Sequence, residues 1–185
     1  PARAGDHEAR ARAAMRDAFQ WLEFDLVERI GITISFGTVE RALEPLTALF
    51  ESNVLLSHRV SVLLRGAPQR LRSRYRLRGF VDMLRGLKIG VGYRISAPRV
   101  SMELSGVDLV RPSFAKVLAP TNLRPDVWKD LALEVRALGL DTKSTIVGAI
   151  ETKQQLEGAI QAGFELGQGR AVRMPYPPPV VPNTA

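Results

Sequence analysis

The sequence contains no cysteine, which excludes disulfides, thiolate metal sites and a cysteine nucleophile, and lends no support to secretion. It has two histidines, His7 and His58, and neither has an acid spaced to orient it as a catalytic base. There is no Walker-type glycine loop and no Rossmann fingerprint. No apolar run approaches the ~20 residues of a membrane-spanning helix, and no signal peptide is visible, so a cytoplasmic location is expected. Pro1 stands where a methionine would, which reads as a piece of a longer polypeptide.

What is present is ordinary for a globular chain. Hydrophobic residues make up 45% and charged residues 24% of 185, enough for one domain with a proper core. The net charge of +7 is uneven: Arg59 to Lys88 holds nine Lys/Arg against one acid, Asp82. Such a patch can attract nucleic acid, anionic lipid or an acidic nucleotide. A solvated, arginine-rich helix face is the commoner meaning of a charge run and is favoured here. Only Tyr75 interleaves with the arginines, so nucleic acid ranks last among the partners.

Helical spacing of Phe19, Leu22, Leu26 and Ile30 predicts a helix over residues 3–29, broken at Gly31. A short β-branched strand, Ile32–Phe36, follows. Glu44 before Pro45 marks a helix start, with Leu46, Leu49 and Phe50 facing the core. Strands are then expected at 59–64, 87–91, 107–110, 142–147 and 164–167. Residues 69–78 are ambiguous, because their arginines alternate with strand period while Leu77, Val81 and Leu84 continue as a helical stripe toward Gly86. A helix from about Asp126 to Leu138 carries Trp128, Leu131, Val135 and Leu138 on its inner stripe.

The most informative stretch runs from Leu138 to Pro175. Thr152 and Gln155 have the spacing of a capping box, in which hydroxyl and amide satisfy the first helical N–H groups reciprocally. Leu156, Ala159 and Ile160 form an apolar face, and Gly163 falls where a left-handed helix stop belongs. Strand, helix, strand in so few residues is a βαβ unit, so the strands should be parallel. The order strand, G-A-I-E-T-x-x-Q-L, helix, A-G-F-x-x-G-Q-G, five residues, Pro resembles the C-terminal part of the bacterial EAL domain family. The likeness extends over roughly residues 15 to 175.

That resemblance implies an α/β fold: an incomplete TIM-barrel-like (EAL-type) parallel sheet of about six strands with surrounding helices. Active members of the family hydrolyse cyclic di-GMP with divalent metal ions. Several of the family's chemical positions are changed here. Gly148 stands at the catalytic glutamate, and Gly92 and Tyr93 stand at the paired metal-binding aspartates. Thr33 or Ser35 takes the place of the metal-binding asparagine, and Val60 to Gly66 has no acid. The L-K-I-D-R-S-F segment is matched to Val107–Phe114, with Leu109 for its lysine, Arg111 for its aspartate and Pro112 for its arginine. Glu151, Thr152, Gln168, Gly169 and Pro175 agree with the family pattern.

A non-catalytic regulatory or scaffold domain acting through protein contacts is therefore the leading expectation, with no catalytic residue, no metal and no cofactor. A non-hydrolysing cyclic di-GMP receptor comes second, binding weakly through Gln168, Glu151, Arg65 and Arg94. A basic-patch nucleic-acid binder is third. The domain division is an N-terminal helix at 1–30, the EAL-like domain at 31–175 and a proline-rich tail at 176–185. The stripe of Phe19, Leu22 and Leu26 is expected to cover the open side of the barrel or to form a homodimer contact.

Overall fold

The computed structural model of the chain describes residues 4–66, 72–95, 107–121 and 124–172. The element order is α1 (Ala4–Glu23), β1 (Ile30–Ser35), α2 (Phe36–Arg41), α3 (Leu43–Ser52), β2 (Val60–Arg65), α4 (Arg74–Gly86), β3 (Gly90–Arg94), β4 (Phe114–Leu118), α5 (Pro125–Ala137), β5 (Thr145–Gly148), α6 (Lys153–Gln161) and β6 (Leu166–Gly167). Six strands form one sheet in the order β1-β2-β3-β4-β5-β6. Every neighbouring pair is parallel.

Side chains alternate between the two faces of each strand, and the two faces differ in chemistry. The outer face, with Ile34, Val62, Leu64, Val91, Tyr93, Val117 and Val147, is buried against helices that supply Leu46, Phe50, Phe80, Leu84, Trp128 and Val135. Aromatic rings tie the layers together. Phe50 meets Phe19 edge-on at 5.8 Å and Phe80 at 6.1 Å, while Phe36 stacks on Tyr93 at 5.8 Å. Among the described residues no helix covers the inner face. A cavity of about 530 Å³ lies against it, bordered by Gly31 and Thr33 of β1 at one edge and Leu166 of β6 at the other. The sheet thus curls around an open interior, as a barrel does, without closing.

Local chemistry accounts for the helix ends. The Thr152 hydroxyl accepts from the Gln155 N–H at 3.2 Å, and Gln155 Oε1 accepts from the Thr152 N–H at 3.1 Å, so the capping box is formed. Gly163 has φ +85° and ends α6 in the left-handed region. Gln155 is itself buried and donates to the Pro120 carbonyl at 3.1 Å, joining the start of α6 to the segment after β4.

Four expectations need correction. Residues 107–110 are a helical turn, closed by the Arg111 N–H on the Val107 carbonyl, and the strand that follows is Phe114–Leu118. Four apolar-rich residues cannot distinguish one helical turn from a strand. The first helix ends at Glu23 rather than near residue 29; Asp25, with φ +52°, turns the chain away. Phe19 and Leu22 are buried in the chain's own core, while Leu26 lies past the helix and is exposed, so the three do not form one free contact stripe. Ile160, expected in the apolar face of α6, is 62% exposed. The proline-rich tail and Pro175 lie outside the described residues.

Candidate functional site

The C-terminal ends of the strands meet at one mouth of the curled sheet, where ligands bind in parallel barrels. Register places Ser35, Arg65, Arg94 and Lys116 side by side on four successive strands, all on the inner face. Ser35 is occupied locally: its Oγ caps α2 by accepting from the Thr38 N–H at 3.0 Å. Arg65 is exposed, and Arg94 and Lys116 are half-buried. Burial, and secondarily the charge of Arg94, hold the Lys116 ammonium below its ordinary value of 10.5.

Lys116 is the residue that the sequence reading missed. With β4 at Phe114–Leu118, Lys116 lies on the inner face beside Arg94. The available signal was the alternation Phe-Ala-Lys-Val-Leu, with Ala115 and Val117 buried on the outer face.

Gln168 and Glu151 come from the turns beyond β6 and β5. The Gln168 side chain accepts through Oε1 from Lys116 Nζ, while its backbone donates to the Val147 carbonyl at 2.8 Å and accepts from the Ile150 N–H at 3.0 Å. Gly169 is required next to it. With φ +151°, its position would place a Cβ 2.2 Å from the Ile150 carbonyl oxygen. Glu151 is exposed and its carboxylate lies 3.4 Å from Arg170 Nε. The structure therefore brings Arg65, Arg94, Lys116 and Gln168 to one mouth, with Glu151 paired to Arg170 at its border.

Two glycines on the inner face, Gly92 within β3 and Gly148 at the end of β5, lie under larger side chains. A Cβ on Gly92 would be 2.3 Å from the Phe114 ring, and one on Gly148 would be 2.7 Å from Lys116 Cε. Both positions are filled from the neighbouring strand. A divalent metal needs several oxygen ligands converging on it. Among the described residues no three of His, Cys, Asp and Glu lie together, and Arg94 and Lys116 would repel a cation. The described residues at this mouth do not fit a divalent metal ion.

The basic run folds into the start of α4. Ser73 caps that helix, and Glu40 Oε1 accepts from the N–H groups of Arg72 and Ser73 at 2.6 and 2.9 Å. Arg72, Arg74, Tyr75, Arg76 and Arg78 are exposed. No helix among the described residues is long and apolar enough to cross a membrane.

No protein-family model matches the chain, and no curated protein matches it either. Solved structures do. The Vibrio cholerae LapD S helix-GGDEF-EAL structure, bound to cyclic di-GMP, superposes with a TM-score of 0.72 at 15% identity, over 90% of this chain and 42% of that one. The EAL-domain protein YkuI of Bacillus subtilis, in complex with substrate cyclic di-GMP and calcium, gives 0.62 at 18% identity over 85% and 41%. The phosphodiesterase PaMucR, as a cyclic di-GMP complex, gives 0.62 at 16% identity over 94% and 72%. The chain thus spans about two fifths of the first two. The fold is that of part of an EAL-type barrel.

Proposed function

We propose that this partial EAL-type barrel is a non-catalytic regulatory domain that acts by holding a partner rather than by turning over a substrate. The observation that carries this reading is the filling of the inner face at and just below the strand ends. Metal-assisted phosphodiester hydrolysis needs carboxylates there to clamp two oxygens through metal ions. Here Phe114 occupies the space over Gly92, Lys116 the space over Gly148, and the adjoining row is cationic. The inner face, lined by Thr33, Leu63, Phe114, Ile146 and Leu166, offers a partner an apolar surface next to β1, the edge strand among the described residues.

The test is a hydrolysis assay on the 185-residue chain with cyclic di-GMP and Mg²⁺ or Mn²⁺. The expected result is no turnover above buffer; chelator-sensitive turnover would reverse the reading. A second reading, a receptor that binds cyclic di-GMP without cleaving it, is favoured by the position of Gln168 beside Lys116 and the arginine row.

A further inference from the structure

We infer that the outward face of α4 is a docking surface for an acidic helix of a partner protein. Leu77, Phe80, Val81 and Leu84 are buried toward the sheet, which turns the opposite side of α4 to solvent. At about 100° per residue, Tyr75 and Gly79 run along the centre of that side. Arg74 and Arg78 flank them on one ridge, and Arg76, with Arg72 just before the helix, flanks them on the other. All of these residues are exposed.

The face carries features that the chain's own packing does not use. Tyr75 leaves an aromatic ring 85% exposed. Gly79 has open space where a Cβ would stand, so nothing in the fold requires glycine there, and alanine would favour the helix more. A bare backbone at the centre of a helix face lets a second helix approach closely. Among the described residues Arg72, Arg74, Arg76 and Arg78 make no ion pair, and the one acid of the helix, Asp82, already lies 3.6 Å from Arg85. Arg74 and Arg78 stand one turn apart, about 6 Å at Cβ, so they repel each other and await carboxylates at the same spacing.

Charge sets the sign of the partner, and the clefts beside the helix set its class. A cavity of about 440 Å³ is lined by Arg74, Tyr75, Arg78, Asp108 and Leu109. Another, of about 490 Å³, is lined by Glu40, Arg41, Arg72, Ser73 and Arg76. Each cleft thus places a carboxylate among guanidiniums. A phosphate backbone or an anionic lipid surface presents one sign throughout and meets that carboxylate unfavourably, whereas a polypeptide can present both signs. Stacked bases also need a series of aromatic rings, and this face has Tyr75 alone. Leu109 beside Tyr75 adds an apolar contact for a partner side chain. Glutamates one turn apart on a partner helix would match the Arg74–Arg78 pair, each guanidinium forking onto a carboxylate. This surface is separate from the inner face, so it stands or fails independently of the non-catalytic reading.

The experiment is fluorescence anisotropy on the 185-residue chain, with a labelled helical peptide carrying leucine and, at every fourth position, glutamate. The same peptide with glutamine for glutamate, a single-stranded DNA and anionic vesicles are run beside it. The glutamate peptide should bind, less tightly as salt is raised, and the glutamine peptide should bind roughly tenfold more weakly. Arg74→Gln with Arg78→Gln should cost roughly tenfold in affinity for the glutamate peptide. Lys129→Gln with Arg136→Gln, the same change of charge on the exposed side of α5, should leave affinity within about twofold. Gly79→Gln should raise the melting temperature and yet weaken peptide binding, a combination that loss of fold does not produce. No binding of the glutamate peptide, equal losses in the two double variants, or parental affinity in Gly79→Gln would overturn the proposal. DNA or vesicles held more tightly than the peptide through the same arginines would overturn it in favour of nucleic acid or lipid. Dimers of the parent that the Arg74 and Arg78 substitutions abolish would overturn it in favour of a second copy.

Discussion

Phe114 lays its ring over Gly92 across the β3–β4 pair, close enough that the missing side chain at 92 is a condition of the packing. Gly92→Ala should destabilise the chain by about 1–3 kcal/mol, the usual range for overpacking. Phe114→Ala should relieve most of that cost, so the pair is strongly non-additive. Urea unfolding of the two single variants and the double variant measures the coupling. Additive effects would mean that the ring moves aside freely.

Lys116 gives a prediction with a pH sign. Its basicity is lowered in the fold, so folding disfavours its charged form relative to the unfolded chain. The penalty is full at pH values below the folded value and fades as pH rises through it toward 10.5. Lys116→Gln keeps a donor for Gln168 and removes the charge. It should therefore be at least as stable as the parent at pH 7, with any advantage shrinking near pH 10.5. Denaturant midpoints at the two pH values settle the sign, and a less stable variant at pH 7 contradicts it.

Arg59 fastens the loop between α1 and β1. Its guanidinium donates to the carbonyls of Leu22, Val27 and Glu28 at 3.0, 2.6 and 2.8 Å, and lies 2.8 Å from the Asp25 carboxylate. Asp25 is 83% exposed, so the ion pair should add little and Asp25→Asn should shift stability by less than about 1 kcal/mol. Arg59→Ala leaves three carbonyls without their donor and should cost several times as much, about 2–4 kcal/mol. Arg59→Lys should not rescue it, because one ammonium cannot reach three diverging acceptors. Thermal melts of the three variants rank them.

Leu22 and Leu26 share a helical spacing in the sequence but have different surroundings. Leu22 is fully buried and Leu26 is 37% exposed. Leu22→Asp should prevent folding, since a carboxylate would be placed in the core without a partner. Leu26→Asp should fold normally and stay soluble. Circular dichroism and size-exclusion chromatography on each variant distinguish them; equal behaviour would undo the assignment.

Legibility in the sequence followed the range of the interaction. The capping box at Thr152 and Gln155 is local, needs no distant partner, and was readable at once. The family resemblance implied a parallel sheet of about six strands, which the structure has, although one of the six expected segments, 107–110, is a helical turn. The strand at Phe114–Leu118 was displaced because Val107–Val110 is also apolar and the family match drew the register forward. With that strand misplaced, Lys116 was not read as an inner-face residue. Arg65 and Arg94 were visible as strand-end cations, but their alignment with Lys116 depends on pairing between strands far apart in sequence, which a linear pattern does not encode.

The strand order has a consequence for assembly. Each strand pairs with the one made just before it, so the sheet can be laid down in the direction of synthesis, one seam at a time. No strand has to wait for a later one before it finds a neighbour, and none is inserted between two already joined. Sequential seams keep the loops to be closed short, which favours early and rapid pairing. The same geometry makes damage graded at the margins and abrupt in the middle: removing β6 unzips one short seam, whereas disrupting β3 parts the sheet into two fragments, neither with enough strands to hold its helices.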